Sequence, residues 1–406
     1  MNKRLSIAFL GTLVPDEPMY NNIAFARSGN TVQEGIVLGL REHKIDVTVL
    51  SQRPIASFPK NRILFCFKKT IIYRKSTKII LVPFINLKVI KTIFVATYDF
   101  FSLITWAINN RRNKRCILVY NPEIHPLPLV HLYAKMTMCK SVAILYDLGM
   151  PPKSLKLGRF RTLLSYISEF FTKKIVSHLD GRIVINENVV RDYAPNSHYL
   201  LIDGGINEHI VSKLFDLKLK SDLKKETIFL CAGTLWPING TMVIMEALKI
   251  NKNPCIKVWF AGSGIDQNLI ESAQKNDLRI KYLGKLDINQ LFAFYEEADV
   301  LMNIRVTEPS ESLYLFPSKI FEYLATGKYV LTTSTAHLNK TYGHLCHVLK
   351  DNDPHTLAQA MNEIANMPKN ELLNRGRIAR QFILKNRTWD IQSTKILNYI
   401  EFIVNI

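Results

Sequence analysis

Phe316-Pro317-Ser318-Lys319-Ile320-Phe321-Glu322-Tyr323-Leu324-Ala325-Thr326-Gly327-Lys328 is the stretch that decides the fold. Its apolar spacing is that of a short amphipathic helix. Pro317 suits the first helical position, where no N–H partner is needed, and Gly327 suits the C-terminal stop. Strand-like runs flank it, Val300–Asn303 before and Tyr329–Thr332 after. Strand, helix and strand in about thirty residues make the unit of a parallel α/β sheet.

The helix start also carries chemistry. Exposed N–H groups there attract phosphate, and Lys319 adds a positive charge beside them. Glu322 lies three residues on, so it and Lys319 can face one ligand. Its carboxylate can accept two hydrogen bonds from neighbouring hydroxyls, such as those of a ribose. A plain amphipathic helix with a solvated Lys–Glu pair fits the same local pattern.

Working outward, the alternation of strand and helix persists. The second half offers strands at Ile228–Cys231, Lys257–Ala261 and Ile280–Leu283 in addition to the two above. The first half offers Ser6–Leu10, Asp46–Leu50, Lys78–Val82, Cys116–Tyr120, Val142–Tyr146, Arg182–Ile185 and Tyr199–Ile202. Helical patterns at Thr31–Glu42 and Arg159–Leu179 lie between them, so one architecture occurs twice. A chain of 406 residues is too long for one ordinary core. Asp203-Gly204-Gly205-Ile206 is the natural hinge, and the charged stretch Lys218–Glu226 leads onward. The expected domains are residues 1–204 and 205–388, with the helical pattern at 389–406 returning onto the first. Short internal repeats and low-complexity tracts are not found.

Composition narrows the class. With 48% hydrophobic and 21% charged residues, the chain is not a disordered one. The six cysteines, Cys66, Cys116, Cys139, Cys231, Cys255 and Cys346, form no Cys-x-x-Cys pair and have no His at metal-ligand spacing. Reduced, buried thiols in a cytoplasmic protein are expected, with no metal site. Ser6–Leu10 is followed by polar residues and Pro15, which reads as a first strand and not an export signal. Leu87–Ile108 is long enough to span a bilayer, but Lys88, Lys91 and Asp99 argue for a buried or interfacial segment.

Charge is unevenly placed. Residues 1–195 hold 29 Lys/Arg against 12 Asp/Glu, while residues 196–406 hold 24 against 22. A basic half beside a neutral one implies a polyanionic partner. In Arg159–Leu179, Phe160, Leu163, Leu164, Ile167, Phe170, Phe171 and Ile175 fall at helical spacing among Arg159, Arg161, Lys173 and Lys174. That stripe reads either as domain core or as a contact with an anionic membrane. The surrounding Lys68, Lys69, Arg74, Lys75, Arg111, Arg112, Lys114 and Arg115 favour the membrane. Nucleic acid is not expected, because no helix-turn-helix, zinc finger or ribonucleoprotein signature is found.

The segment Phe316–Gly327 resembles the donor motif of family-four glycosyltransferases of the GT-B fold, in the form Phe-Pro-Ser-Lys-x-x-Glu-Tyr-x-x-x-Gly. That form is common among bacterial exopolysaccharide and capsule enzymes. The resemblance runs the whole chain and is weakest in residues 50–115. It implies an α/β protein with two Rossmann-like, doubly wound domains facing a cleft, the nucleotide lying on the second. It places Glu322 on the donor ribose, Pro317, Ser318 and Lys319 at the pyrophosphate, and Lys319 and Glu322 in the catalytic set. The implied reaction moves a hexosyl group from a nucleotide sugar, with UDP expected, to a lipid-linked or polysaccharide acceptor. Retention of configuration, no essential metal and no cofactor beyond the nucleotide-sugar co-substrate are implied too. The expected location is the cytoplasm, peripheral to the inner face of the cell membrane.

Flanking residues extend the resemblance. Ala261-Gly262-Ser263-Gly264 stands where the family places a Gly-x-Gly loop, so Gly262 and Gly264 are donor-side candidates. A dehydrogenase fingerprint needs a further glycine where Gln267 stands. Gly233 and Thr234, in the loop Ala232–Gly240, are donor-side candidates too, and Tyr282-Leu283-Gly284-Lys285, Tyr295 and Ala298-Asp299-Val300 are similar to the family's path to the donor pocket. Asn303-Ile304-Arg305 resembles an Asn-Pro-Arg triplet, with Arg305 a phosphate ligand or a surface arginine. In the first domain, Gly11 and Ser28-Gly29-Asn30-Thr31-Val32-Gln33 stand where the family borders the donor phosphates and acceptor. A turn and helix cap explains Gly29-Asn30-Thr31 equally well. Asp147 ends a strand where relatives place a His against the donor sugar. It is a candidate to accept a sugar hydroxyl, or a polar strand-end cap. His125 reads as a surface or satisfied histidine.

Departures are as plain as the matches. Tyr314 stands where many members carry a Glu, with Glu308 and Glu311 displaced upstream. Thr234 and Asn239 stand where Arg and Lys are common, which leaves phosphate neutralisation to Lys319, Arg305 and helix dipoles. A non-catalytic GT-B-like protein that binds nucleotide or stabilises a partner is the alternative those departures allow. A nicotinamide enzyme comes third.

Overall fold

The computed structural model describes residues 4–15, 20, 27–121, 127–146, 170–193, 195, 197–215, 226–308 and 312–406. Two compact units divide the chain, Met1–Gly205 with Trp389–Ile406, and Ile206–Thr388.

The first unit contains β1 (Leu5–Gly11), β2 (Asp46–Ser51), β3 (Phe65–Cys66), β4 (Lys69–Tyr73), β5 (Thr77–Leu81), β6 (Phe84–Ile85), β7 (Lys114–Tyr120), β8 (Lys140–Leu145), β9 (Gly181–Val184) and β10 (Tyr199–Leu201). Eight of them form one sheet in the order β10-β9-β8-β7-β1-β2-β5-β4. Its neighbours are parallel except β4 and β5, which run antiparallel at the edge. β1 is buried along its whole length, which is why it reads as a continuous apolar run and not as an alternation. The helix Trp389–Asn405 packs on the helix Arg27–Glu42. A Cβ at Gly35 would strike the Trp389 indole, and one at Gly39 the Ser393 hydroxyl. Tyr399 then accepts the Arg182 N–H at 2.9 Å and donates to the His198 carbonyl at 2.8 Å.

Three strands of this unit have no counterpart in the sequence reading. β3 and β6 are two residues each, and β4 is an edge strand with mostly exposed side chains, so none has a hydrophobic period to detect. The helix near the N-terminus starts at Arg27, four residues before the expected Thr31. Gly29 is therefore a buried residue of its first turn and not part of a preceding loop.

The second unit contains β11 (Thr227–Thr234), β12 (Ile256–Ser263), β13 (Ile280–Tyr282), β14 (Val300–Asn303), β15 (Tyr329–Thr333) and β16 (His347–Leu349). All six are parallel, in the order β13-β12-β11-β14-β15-β16. Numbered from its own first strand, that order is 3-2-1-4-5-6, the dinucleotide-fold arrangement. The crossing direction reverses between β11 and β14, and such a switch point is where open α/β sheets bind ligands. Phe229, Ile244, Val258, Phe260, Val300 and Leu331 are among the residues of a continuous core around the sheet. Ile206 and Thr388 pair in a parallel bridge, so the chain enters and leaves this unit side by side.

β11 and β12 continue past their apolar runs to Thr234 and Ser263, in register throughout. Gly233 and Gly262 are thus paired strand-end residues. Glycine, Thr and Ser carry no hydrophobic signal, so the ladder outlasts the pattern that announced it. The three-residue β16 is too short to show a period.

Candidate functional site

Four chain ends meet at the switch point: the last residues of β11, β12 and β14, and the start of the helix Lys319–Thr326. Gly233 and Gly262 face each other in register with φ of +144° and +135°. A Cβ at Gly262 would overlap the Gly233 carbonyl, and one at Gly233 would strike the Lys319 ammonium. Glycine is required at both positions for this close approach. Gly264 follows, packed against the Leu235 carbonyl and the Trp236 ring.

The helix is tied to β11 from one side chain turn to the next. Lys319 Nζ and the Tyr323 hydroxyl both donate to the Ala232 carbonyl, at 2.5 and 2.9 Å. Tyr295, fully buried, donates its hydroxyl to Glu322 Oε1 at 2.7 Å. The Tyr295 and Tyr323 rings meet edge to face at 5.9 Å. Burial, with the Glu322 charge next, pushes the Tyr295 phenol well above its usual range. Tyr295 is therefore a firm proton donor that fixes the carboxylate.

Burial also pushes the Lys319 ammonium below its ordinary value. Glu322 and Cys231 pull it back up, and Arg305 lowers it further. The Cys231 thiol beneath it is pushed up to about 11 by burial, against the pull of Lys319 and Arg305. A poorly hydrated cation of this kind gains more from an arriving anion than a solvated one does.

Arg305 supplies a second cation. Its backbone N–H donates to Thr333 Oγ1 at 2.8 Å, and its guanidinium donates to Asn239 Oδ1. Asn239 Nδ2 in turn donates to the Thr234 carbonyl at 2.6 Å. Burial lowers the Arg305 pKa. Thr234 and Asn239, which lack the charge of the usual residues, thus latch an arginine from the end of β14 onto their own loop. Asn303 is occupied elsewhere, its amide donating to Thr332 Oγ1 at 3.0 Å.

Pro317 and Ser318 make the turn into the helix. Regular helix begins at Lys319, two residues beyond the expected Pro317. Ser318, already in the αR region, makes no capping bond and is exposed. Gly327 closes the helix in the left-handed region at φ +81°, as its sequence position suggested. Phe316 is held by stacking on His337, with centroids 4.8 Å apart, and on Phe321 at 5.5 Å.

The first unit's candidates form their own local arrangement. Gly11 ends β1, and the following turn is stitched to the neighbouring helix. Gln33 Oε1 accepts from Thr12 N at 2.7 Å, and Gln33 Nε2 donates to Thr12 Oγ1 and the Gly29 carbonyl at 3.1 and 3.2 Å. Asn30 exchanges two hydrogen bonds with the Val14 backbone, at 2.9 and 3.1 Å. Asp147, His125 and Glu311 lie outside the described residues. Glu308 is exposed and Tyr314 half-buried.

The positioning roles of Tyr295 and Tyr323, and the Asn239–Arg305 latch, escaped the sequence reading. Tyr323 sits one turn after Lys319 on the same face, which was the available signal. The latch joins residues 66 apart and left no local trace.

Residues 226–367 match the family described as Glycosyl transferases group 1. A search of curated proteins found no match. Among solved structures, the chain is similar to sucrose-phosphate synthase from Thermosynechococcus elongatus, at 14% identity and TM-score 0.66 over 98% of each chain. It is similar to HepE of Anabaena in complex with UDP, at 11% identity and TM-score 0.67 over 98% of this chain and 99% of that one. It is also similar to a glycosyltransferase from Rickettsia africae, at 14% identity and TM-score 0.67 over 100% and 99%. The chain has the GT-B fold of two Rossmann-like domains, and residues 226–367 within it are similar to the glycosyl transferases group 1 family.

Proposed function

We propose that the protein is a family-four-like glycosyltransferase that moves a hexosyl group from a nucleoside diphosphate sugar, with UDP as the nucleotide. The observation that carries this reading is the placement of Lys319 and Glu322. One turn apart on one helix, they reach the switch point of a group 1 domain, the ammonium against β11 and the carboxylate fixed by Tyr295. Lys319, Arg305 and the dipole at the helix start counter the diphosphate charge. Glu322 accepts from the ribose hydroxyls, and Gly233, Gly262 and Gly264 let the backbone approach the nucleotide. Asp147 takes a sugar hydroxyl on the strength of the resemblance alone. UDP is supported by HepE, solved with UDP and with UDP-glucose.

In the proposed reaction, the bond from the sugar C1 to the diphosphate oxygen breaks and a bond from C1 to the acceptor oxygen forms. The acceptor's proton goes to the departing phosphate, so configuration is retained without an enzymic carboxylate pair, a metal or a cofactor. The protein positions the reactants and stabilises the developing charge. The acceptor is a lipid-linked saccharide or polysaccharide of the cell surface, met by a peripheral enzyme at the cytoplasmic membrane face. Likeness to a lipopolysaccharide outer core galactosyltransferase is consistent with that pathway class.

Thr234 and Asn239, neutral where the family is commonly basic, favour one second reading, a nucleotide-binding GT-B protein without turnover. A turnover assay at saturating donor separates the two. Sugar transfer supports the enzyme, and tight UDP binding without it supports the second reading.

A further inference from the structure

We propose that the protein docks on an anionic lipid bilayer through the outer face of the helix Lys88–Asn109 and the segment strapped to its start. The inference deepens the membrane part of the reading above and rests on that part alone.

This helix is built inside out. Of its charged residues, Lys91 and Asp99 are buried in the unit. The Lys91 ammonium donates to the Ile55 carbonyl at 2.6 Å and lies 4.4 Å from the Phe84 ring centre. Val89, Ile90, Ile93, Phe94, Phe101 and Ile108 point outward instead, each between 41% and 70% exposed. Val89, Ile90, Ile93 and Phe94 lie three and four residues apart and Phe101 and Ile108 follow at steps of seven, so all six fall along one side of the helix. Three threonines share the exposed side. The hydroxyls of Thr92, Thr97 and Thr105 donate to the carbonyls four residues back, at 3.3, 2.9 and 2.8 Å. Satisfied within the helix, they present methyl groups and need no water.

The apolar surface continues at the helix start. The Asn86 amide donates to the carbonyls of Ala56 and Ile63, at 3.0 and 2.8 Å, which holds that loop in place. Just beyond it, Phe65 is 61% and Phe67 81% exposed. Exposed apolar side chains grouped in this way mark an interaction site.

Charge identifies the occupant. Residues 47–122 contain fourteen Lys or Arg and a single acid, the buried Asp99. Exposed cations lie toward both ends of the stripe, with Lys60, Arg62, Lys68, Lys69 and Lys88 toward its start and Arg111 and Arg112 past its end. Apolar side chains fringed by cations match acyl chains beneath anionic headgroups. A second copy would bring a surface of the same sign and be repelled. The helix lies along the bilayer and does not cross it. Its inner face is committed to the unit, where the Tyr133 hydroxyl donates to the Ala96 carbonyl at 2.9 Å.

The experiment is co-sedimentation of the full chain with vesicles of phosphatidylglycerol and phosphatidylcholine, against phosphatidylcholine alone. Wild-type protein should bind the anionic vesicles and detach in high salt. An Ile93→Ser, Phe94→Ser, Phe101→Ser variant and a Lys60→Ser, Arg62→Ser, Lys68→Ser, Lys69→Ser variant should each bind at least about tenfold more weakly. Melting and UDP affinity, read on the same samples, show that both variants remain folded. Three results overturn the assignment: wild-type vesicle binding by the apolar variant, equal wild-type binding to neutral vesicles, or a dimer that the apolar variant dissolves. So does loss of binding only on replacing Arg159, Arg161, Lys173 and Lys174 with Ser, which moves the contact to that stretch. A wild-type protein that binds UDP but no vesicle removes the docking surface and leaves the donor reading standing. One that binds vesicles but no nucleoside diphosphate removes the donor reading and leaves the surface.

Discussion

Replacing Glu322 probes the ribose contact, provided its partner is treated at the same time. Among the described residues, the carboxylate accepts one hydrogen bond, from Tyr295 at 2.7 Å. Glu322→Ala alone orphans that buried hydroxyl, which costs about 1–3 kcal/mol of stability. The cleaner variant is Glu322→Ala with Tyr295→Phe, in which no buried donor is left over. A hydrogen bond from a ribose hydroxyl to a carboxylate is worth about 1.5–3 kcal/mol, so loss of even one such bond should lower UDP affinity by about 10- to 150-fold. Titration calorimetry with UDP and with 2′,3′-dideoxy-UDP closes the cycle. Wild-type protein should prefer UDP by a factor in that range, and the double variant should bind the two alike. Tyr295→Phe alone should weaken UDP only about 2- to 12-fold, because the carboxylate remains but is less well held. A folded double variant that keeps its preference for UDP would refute the assignment of Glu322 to the ribose.

Lys319→Ala should weaken UDP far more than uridine, since its proposed partner is the diphosphate; equal losses for both ligands would contradict that role. The same ammonium is held below its ordinary pKa by burial, so Lys319→Met should raise the melting temperature of the ligand-free protein even as it lowers UDP affinity. Lys328 tests the electrostatics away from the site. Burial pushes its ammonium from 10.5 to about 8, with Asp299 and Glu296 pulling it up and Lys369 pushing it down. Between those values the unfolded chain holds a proton that the folded one does not, so stability rises with pH across this window. The charged form therefore costs about 3 kcal/mol at neutral pH. Lys328→Met should be more stable than wild type at pH 7 in denaturant titrations, by somewhat less than that figure because the bond to the Glu296 carbonyl is lost. The gain should vanish above pH 10.5, and a gain independent of pH would contradict the assignment.

Much of the architecture was legible because parallel strands buried on both faces leave apolar runs. β1, β7, β8, β11 and β14 are such strands, and each overlaps a run read from the sequence. The last residues of β11 and β12 were not legible, because Gly233-Thr234 and Gly262-Ser263 extend the ladder by backbone pairing alone. Gly29 was read as a loop glycine because Gly29-Asn30-Thr31 resembles a turn and helix cap, whereas the helix runs back to Arg27. At the site, the helix start with Lys319 and Glu322 was visible as a local motif. The partners that fix those groups, Tyr295 and the Ala232 carbonyl, lie 27 and 87 residues away and come together only through the fold. The stretch Leu87–Ile108 showed its apolar length in sequence but not its polarity. Only burial of Lys91 and Asp99 reveals which face looks outward.

The most direct test of the central claim is release of nucleoside diphosphate from UDP-, GDP- and dTDP-sugars by the full chain in the presence of bacterial membrane lipid extract. Saturable release from a UDP-sugar is expected, with transfer of the sugar to lipid. Lys319→Ala, and Glu322→Ala with Tyr295→Phe, should each reduce that release at least about tenfold without unfolding the protein. Absence of release and transfer with every donor, in a protein that binds UDP at the same site, would contradict catalysis and leave a nucleotide-binding GT-B protein in its place.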